Sequence, residues 1–381
     1  MLKIAVYYSF YVPYLEDLFL RISQLGLKVD YFVGGPEARQ HWAFNVQNFK
    51  SGNYSRIVLS RRIKFDTKYA GIKYFDIKII SKILRERYDF FIIEFSEPLT
   101  IILSFFLKPI GSRIVSWNGM CVTSPKFIRK LAEVIVRLCV NLSDYFVARS
   151  IYAKNYLIEK GVKSKKITII PHGIDTAKFE LEMDAKLKRE LRLQSKKVVL
   201  YVGRLMYWKG VDYLIHAFKI VNEKRKDIHL LIVGEGPLKD YLQQLVLQEG
   251  LGKTVTFLGV VPSSDIFRYY SICDVHVAPS IITRDMIEIF GIVYLEAMAS
   301  GKPSIAFDIP AEVQNIIVDG ETGFLVPAKN VEQLAEKICV LLMDDEKRLK
   351  MGTNARKKAQ ALFSLEAVAE KWIRTLKQIH P

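Results

Sequence analysis

The sequence predicts an α/β protein built as two doubly wound halves, and three observations predict it. Short β-rich apolar runs alternate with helical stretches along the chain, which is the pattern of parallel sheets covered by helices. Each half opens on a run that reads as a buried strand, KIAVYY from Lys3 and KVVLYVG from Lys197, as doubly wound domains do. A length of 381 residues favours two domains over one.

In the first half the strand candidates are KIAVYY, KVDYFVG, FFIIEF, SRIVSW, DYFVARS and ITIIP. In the second half they are KVVLYVG, HLLIVGEG, VTFLGV, VHVAPS, PSIAF and GFLVP. The join falls in IIPHGIDTAKFELEMDAKLKRELRLQSKKVVLYVG, where a strand ends at Pro171 and a turn follows at His172 and Gly173. This puts one domain at residues 1–177 and the next at 178–363. The last segment, 364–381, reads as an amphipathic helix containing Trp372, expected to pack back toward the first domain.

Hydrophobic content is 50% and charged content 25%, enough apolar material for sizeable cores in a soluble protein. No apolar run approaches the roughly 18 residues that span a bilayer; the longest candidate, PLTIILSFFLKPIG, is too short. The opening stretch lacks the apolar region and cleavage site of a signal peptide and reads as a first strand. Cys121, Cys139, Cys273 and Cys339 form no CxxC pair or metal-ligand spacing, so reduced thiols in a cytoplasmic protein and no metal site are expected.

The formal net charge of +16 is unevenly placed. Residues 1–175 carry 27 Lys and Arg against 14 Asp and Glu, a net +13. The excess concentrates in residues 50–88, with eleven basic and three acidic residues. Such a patch suits a phospholipid surface, a lipid phosphate or a nucleic acid, or is a plain solvated surface. In RRIKFDTKYAGIKYFDIKII aromatics alternate with basic residues, which suits an interface helix or loop on an anionic membrane. A nucleic-acid partner is set aside because no recognition module is present.

Three motifs carry chemistry. In YVGRLMYWKG a buried strand ends at Gly203, with Arg204 and Lys209 on the loop that follows. Ligands of open parallel sheets bind at the carboxyl ends of strands, so the two cations suit a diphosphate, or are ordinary surface charges. In LLIVGEGPLKDYL, Gly234 and Gly236 allow a sharp turn and close ligand approach, as a plain tight turn also does. In EIFGIVYLEAMASGKP, Glu288 precedes a helix and Glu296 lies inside it. The amides of Phe290, Gly291 and Ile292 fall at that helix's N-terminus, a natural anion site. A buried Glu296 needs a partner: either an Arg or Lys in a salt bridge, or hydroxyls, which sugars and riboses supply in pairs.

In this order, these motifs resemble the retaining glycosyltransferases of the GT-B fold, in the large family four of that class. The carrying residues are VGRL with Lys209 five positions after its Arg, VGEGP, Glu288 and Glu296, YLEAMASGKPSIA and DGETGFLVPAKN. ITIIPHGID resembles the family's usual Pro-Asn-Gly-Val-Asp turn, and DYFVARSIYAKNYL the strand and helix before it. The resemblance implies two Rossmann-like domains facing each other across a cleft, the first taking the acceptor and the second a nucleotide-diphosphate sugar. It implies that Arg204 and Lys209 hold the diphosphate and Glu288 the donor-sugar hydroxyls. It puts the Phe290, Gly291 and Ile292 amides at sugar and phosphate, and Glu296 on the ribose. Gly203, Gly234, Glu235 and Gly236 line the donor site, with Val260 bordering the base.

Two departures fall on the acceptor side. Where the family has a Gly-Gly pair after the first strand, this chain has YSFYVPYLED, with Glu16 near the family's acidic position. Where the family often has a His after the fourth strand, this chain has Asn118. The expected reaction is transfer of a hexose with retention to a hydroxyl acceptor, a lipid-linked or cell-envelope glycan, without a resident cofactor or metal. An anionic membrane surface, met through residues 50–88, is the expected further partner, placing the protein peripherally on the cytoplasmic membrane face. The alternative is a catalytically impaired GT-B protein that serves as a binding partner in a glycan assembly complex.

Overall fold

A computed structural model describes the chain except residues 9–11, 35–48, 60–62, 68–70, 76–77, 96–98, 119–125, 181, 284–290 and 381. The chain divides into two units, Met1–Gly173 together with Leu365–Pro381, and Ile174–Ser364.

In the first unit the KIAVYY run forms β1 (Lys3–Tyr8). It is followed by β2 (Lys28–Gly34), β3 (Phe49–Ser51), β4 (Tyr54–Leu59), β5 (Ile63–Thr67) and β6 (Gly71–Phe75). Then come β7 (Phe90–Glu94), β8 (Arg113–Asn118), β9 (Tyr145–Ala148) and β10 (Ile167–Ile169). Eight of them make one sheet in the order β10-β9-β8-β7-β1-β2-β4-β3. All its pairings are parallel except β3 on β4.

The period-two alternation of β1 divides its side chains between two cores. Ile4, Val6 and Tyr8 join Phe90, Ile92, Val115 and Trp117 on one face. Ala5 and Tyr7 join Phe91, Ile93, Ile114, Leu103 and Leu107 on the other. A parallel sheet covered on both faces reads as a continuous apolar run for this reason.

The helix Leu365–Ile379 lies in the first unit although it ends the chain. It buries Val368, Ala369, Trp372 and Leu376 against the face that also holds the helix Pro13–Gln24. Trp372 is fully buried, its ring 5.4 Å from Trp117 and 6.1 Å from Phe19. Arg21 pairs with Glu366 at 3.1 Å. The units divide after Gly173 rather than at about 177. Ile174 is already tied into the second unit, its N–H donating to the Phe363 carbonyl at 2.9 Å.

Within the basic stretch the structure has strands where an interface helix or loop was expected. β5 and β6 pair antiparallel, Ile63 opposite Phe75 and Thr67 opposite Gly71, and a helix begins only at Lys78. The alternation of aromatic and basic residues is itself the period of a strand.

The second unit carries β11 (Lys197–Val202), β12 (Ile228–Val233), β13 (Val255–Gly259), β14 (Val275–Val277), β15 (Ser304–Asp308) and β16 (Gly323–Pro327). Their order is β13-β12-β11-β14-β15-β16, all parallel. The strand order reverses between β11 and β14, and ligands of such sheets bind in the crevice outside the carboxyl ends at that point. Cys139, Cys273 and Cys339 are buried and form no disulfide among the described residues; Cys121 lies outside the described residues.

Trp372→Ala would leave a cavity between the last helix and the first sheet. Deleting so large a buried side chain typically costs about 3–5 kcal/mol. Denaturant unfolding should report a loss of that size; a loss under about 1 kcal/mol would mean that the helix does not close this core.

Candidate functional site in the second unit

Three loops leave the carboxyl ends of β11, β12 and β13 and meet backbone to backbone. The Gly203 N–H donates to the Val233 carbonyl at 3.0 Å, and the Gly234 N–H to the Gly259 carbonyl at 2.7 Å. Gly234 has φ +133°, and a Cβ there would sit 1.9 Å from the Gly203 carbonyl oxygen. At Gly236 a Cβ would sit 2.3 Å from the Leu205 carbonyl oxygen. Both glycines are therefore required by the neighbouring loop, before any ligand is considered.

Arg204 is exposed on the first of these loops. Its guanidinium carbon lies 5.7 Å over the Trp208 ring, and its carbonyl accepts the Tyr201 hydroxyl at 3.0 Å. Lys209, partly buried, ends the short turn Tyr207–Lys209. The loop is pinned across the reversal point, where the Ile281 N–H donates to the Trp208 carbonyl at 2.8 Å. A Cβ on Gly210 would lie 2.1 Å from the Pro279 oxygen.

The helix Ile292–Ala299 starts at Gly291, its N-cap, and runs through Glu296. Apolar residues surround the carboxylate in sequence because Tyr294, Leu295, Ala297, Met298 and Ala299 are buried in the core. Tyr294 donates to the Ala278 carbonyl at 2.7 Å and so ties this helix to the residue after β14. The first helical amides lack intrahelical acceptors and carry the positive end of the helix dipole. Glu288 and Phe290 lie outside the described residues.

Glu296 Oε2 accepts the hydroxyl of Tyr270 at 3.0 Å. Among the described residues no Lys or Arg forms an ion pair with it; the hydroxyl it meets is a protein phenol, a partner the sequence reading did not anticipate. Burial pushes its carboxyl up to about 7, partly offset by the Tyr270 hydrogen bond. Tyr270 is itself held well above its ordinary range, first by burial and then by the charge of Glu296.

Glu235, partly buried, pairs with Lys239 at 2.6 Å, and a Cβ on Gly259 would lie 3.2 Å from Glu235 Oε1. Val260 follows β13 and is exposed. The expected donor-side residues that are described thus gather at the carboxyl edge of this sheet and on the adjoining helix. Glu16 and Asn118 lie in the first unit. Glu16 is buried on the helix Pro13–Gln24, accepting Tyr54 at 2.9 Å and paired with Arg56 at 2.7 Å. Asn118 ends β8, and its side chain is not among those described. Among the described residues no group of three or more His, Cys, Asp or Glu gathers as metal ligands.

Sequence reasoning missed Tyr270, one of three aromatics in IFRYYSI and 26 residues before its carboxylate, with nothing to set it apart. It also missed Gly210 and Gly259, single glycines whose positive φ of +62° and +70° appears only in the loops they close.

Residues 183–358 match the family Glycosyl transferases group 1, and residues 13–178 match Glycosyltransferase Family 4. The chain is 33% identical over 217 residues to an uncharacterized glycosyltransferase of Methanocaldococcus jannaschii, covering 56% of this chain and 54% of that protein. It is 28% identical over 249 residues to the GDP-mannose-dependent alpha-(1-6)-phosphatidylinositol monomannoside mannosyltransferase of Mycobacterium tuberculosis, covering 63% of each. The matches therefore span less than two thirds of these relatives' length. In structure it is similar to Anabaena HepE solved with UDP, at a TM-score of 0.76 and 20% identity with all of both chains covered. It is also similar to a Rickettsia africae glycosyltransferase, at 0.77 and 21% identity, covering 99% and 98% of the two chains.

The Glu296 carboxyl predicts a pH signature. Its folded pKa, about 7, stands above its ordinary 4.5, so the contribution to stability is fullest below 4.5 and is lost as pH rises through about 7. Urea unfolding should show wild type losing more stability than Glu296→Gln between pH 5.5 and 8. Equal losses in both proteins would count against a protonated Glu296.

Proposed function

The chain belongs to the group 1 glycosyltransferases of the GT-B fold, and from that premise we propose that it moves a hexose from a nucleotide-diphosphate sugar to a hydroxyl acceptor with retention of configuration. The observation that carries this reading is Glu296. It is a desolvated carboxylate on the helix Ile292–Ala299, which lies between β14 and β15 in the chain, and its described partner is a hydroxyl and not a cation. Ribose hydroxyls are donors of the same kind and would favour its ionised form.

Around that ribose, Arg204 and Lys209 hold the diphosphate, and the Phe290, Gly291 and Ile292 amides face the sugar and its phosphate. Glu288 holds donor-sugar hydroxyls. Gly203, Gly234, Glu235 and Gly236 form the floor, and Val260 borders the base. The bond from the anomeric carbon to the diphosphate oxygen breaks, and the acceptor oxygen bonds to that carbon on the same face. The departing diphosphate takes the acceptor's proton. The protein stabilises the negative charge that develops on the leaving group and orients the two reactants. HepE was solved with UDP and the mycobacterial relative is named as GDP-mannose-dependent, which supports a nucleotide donor here.

The first unit takes the acceptor, with Asn118 and Glu16 on its side, and the acceptor is a lipid-linked or cell-envelope glycan. Two observations support this. The first half of the chain carries a net +13. The mutually packed helices Leu99–Leu107 and Lys126–Leu142 leave Ile102, Phe105, Val134 and Leu138 exposed, Phe105 by 72%. Basic and apolar surface together suit the interface of an anionic membrane. No helix among the described residues is long and apolar enough to cross one.

A thermal-shift panel of UDP, GDP, ADP and their sugar conjugates tests the donor site. Ligand at about 100 times its Kd contributes about 2.7 kcal/mol, which raises the melting point by roughly 5–10 °C for a unit of this size. One nucleotide should produce that rise in wild type. No rise with any would favour the binding-partner reading.

Arg204→Ala should lower donor affinity and turnover together while far-UV circular dichroism stays unchanged. An unaltered rate would remove Arg204 from the diphosphate site. Glu288→Ala should reduce turnover at least a hundredfold with a melting point close to wild type. A mainly thermal effect would make Glu288 a structural salt-bridge residue instead.

A further inference from the structure

At the carboxyl edge of the first unit's sheet sits a buried cation, Arg149, that has no carboxylate in ion-pair range among the described residues. Arg149 directly follows β9 and is 6% exposed. Its guanidinium donates to His172 Nε2 at 3.3 Å and to the Tyr8 hydroxyl at 3.3 Å. Both contacts are long for hydrogen bonds from nitrogen donors. Among the described residues its Nε has no hydrogen-bond partner. The guanidinium carbon lies 4.7 Å over the Trp117 ring. Among the described residues no carboxylate is in ion-pair range. Burial lowers the Arg149 pKa, and Tyr8, Tyr14 and the longer-range charge of Glu94 more than offset this; the Tyr8 hydroxyl donates to Glu94 Oε1 at 3.5 Å.

His172 adds no positive charge. Burial and the adjacent Arg149 hold its imidazole well below the ordinary range, and the Tyr14 ring packs nearly perpendicular to it with centroids 4.9 Å apart. The imidazole is therefore an acceptor to Arg149, with its proton on Nδ1.

These side chains come from the carboxyl ends of five adjacent parallel strands. Tyr8 ends β1, Glu94 ends β7, Trp117 lies next to the end of β8, Arg149 follows β9, and His172 follows β10. Open α/β sheets bind ligands at that edge. A guanidinium desolvated there costs several kcal/mol unless it is paired. A ring face offsets about 2 kcal/mol of that, and two long contacts to neutral groups leave donors of the planar fork unused. A purely structural arginine in a core is ordinarily met by a carboxylate or by backbone carbonyls. Here it is met by an aromatic face, a phenol and a neutral imidazole.

We infer that Arg149 is the centre of an oxyanion subsite in the first unit, which takes the phosphate or carboxylate group of an anionic acceptor. The fork of Arg149 binds two oxygens of the anion in parallel, and Trp117 forms the wall beneath it. The residues of this subsite belong to the first unit, and Arg204 and Lys209, assigned to the diphosphate, belong to the second. The word acceptor rests on the glycosyltransferase reading; the oxyanion subsite does not. The acceptor class that follows is a sugar or polyol carrying a phosphate ester or a carboxylate.

The experiment is isothermal titration of the full chain with inorganic phosphate and, separately, with glucuronate. It is run in an Arg204→Ala background so that the diphosphate site does not compete. The nucleotide panel is run beside it on proteins with Arg204 intact. One of the two anions should bind, and which one tells a phosphate ester from a carboxylate. Arg149→Gln should weaken that binding at least tenfold, and Arg149→Lys, which keeps the charge but loses the fork, about tenfold. The nucleotide response should be the same with and without the Arg149 changes.

Binding of neither anion, or binding undiminished in both Arg149 variants, overturns the inference. If Arg149→Gln does not fold, Arg149→Lys decides alone: weakened binding with an unchanged nucleotide response supports the subsite, and unchanged binding overturns it. A nucleotide response without anion binding leaves the glycosyltransferase reading standing and removes the subsite. Anion binding that depends on Arg149 without any nucleotide response keeps the subsite and removes that reading.

Discussion

Parallel pairing of strands that are buried on both faces is the constraint on which the rest of this protein depends. Parallel strands need a crossover between every pair, and the crossovers cover both faces. Only the ends of the strands are then left to meet a ligand. The chain spends its apolar runs on sheet interiors, Val198 to Tyr201 being almost wholly buried. Its unusual residues follow the strands: Gly203 and Arg204 after β11, Gly234 and Gly236 after β12, Arg149 after β9.

The second unit's loops add a further constraint. Their backbones approach so closely that a single Cβ at Gly234 or Gly236 would overlap a carbonyl oxygen. The pinning of Trp208 to Ile281 and of Tyr294 to Ala278 joins the loop after β11 to the helix that carries Glu296. Arg204 and Glu296 are thereby held on one scaffold although 92 positions separate them in the chain. A loop set this tightly packed loses little entropy when a ligand arrives.

Each unit desolvates one ionisable group of opposite sign without a described counterion: Glu296 beside Tyr270 in the second, Arg149 over Trp117 in the first. Burial without pairing is expensive, and groups perturbed in this way concentrate at functional sites. The signs suit different ligands. A carboxylate receives hydroxyls, and a guanidinium receives an oxyanion.

The amino-acid sequence alone determined the pieces whose cause is local. All twelve strand runs read from apolar pattern are strands, because a buried parallel strand must be apolar throughout, and the loops after Val202 and Val233 were visible as glycines following such runs. The strands of the basic stretch went unread, because their alternation of aromatic and basic residues, which has the period of a strand, also suits a membrane surface. Partners at long range were decided only by the tertiary structure. Nothing in EIFGIVYLEAMASGKP indicates that Glu296 meets the Tyr270 hydroxyl and not a cation. Nothing in DYFVARS indicates that its arginine turns inward over Trp117. The last helix, distant in sequence, joins the first unit because Trp372 packs into one cluster with Trp117 and Phe19, whose own rings lie 5.8 Å apart. Pattern reports how each residue treats water, whereas the identity of its neighbour is set when crossovers bring strand ends together, and that information is spread over the whole chain.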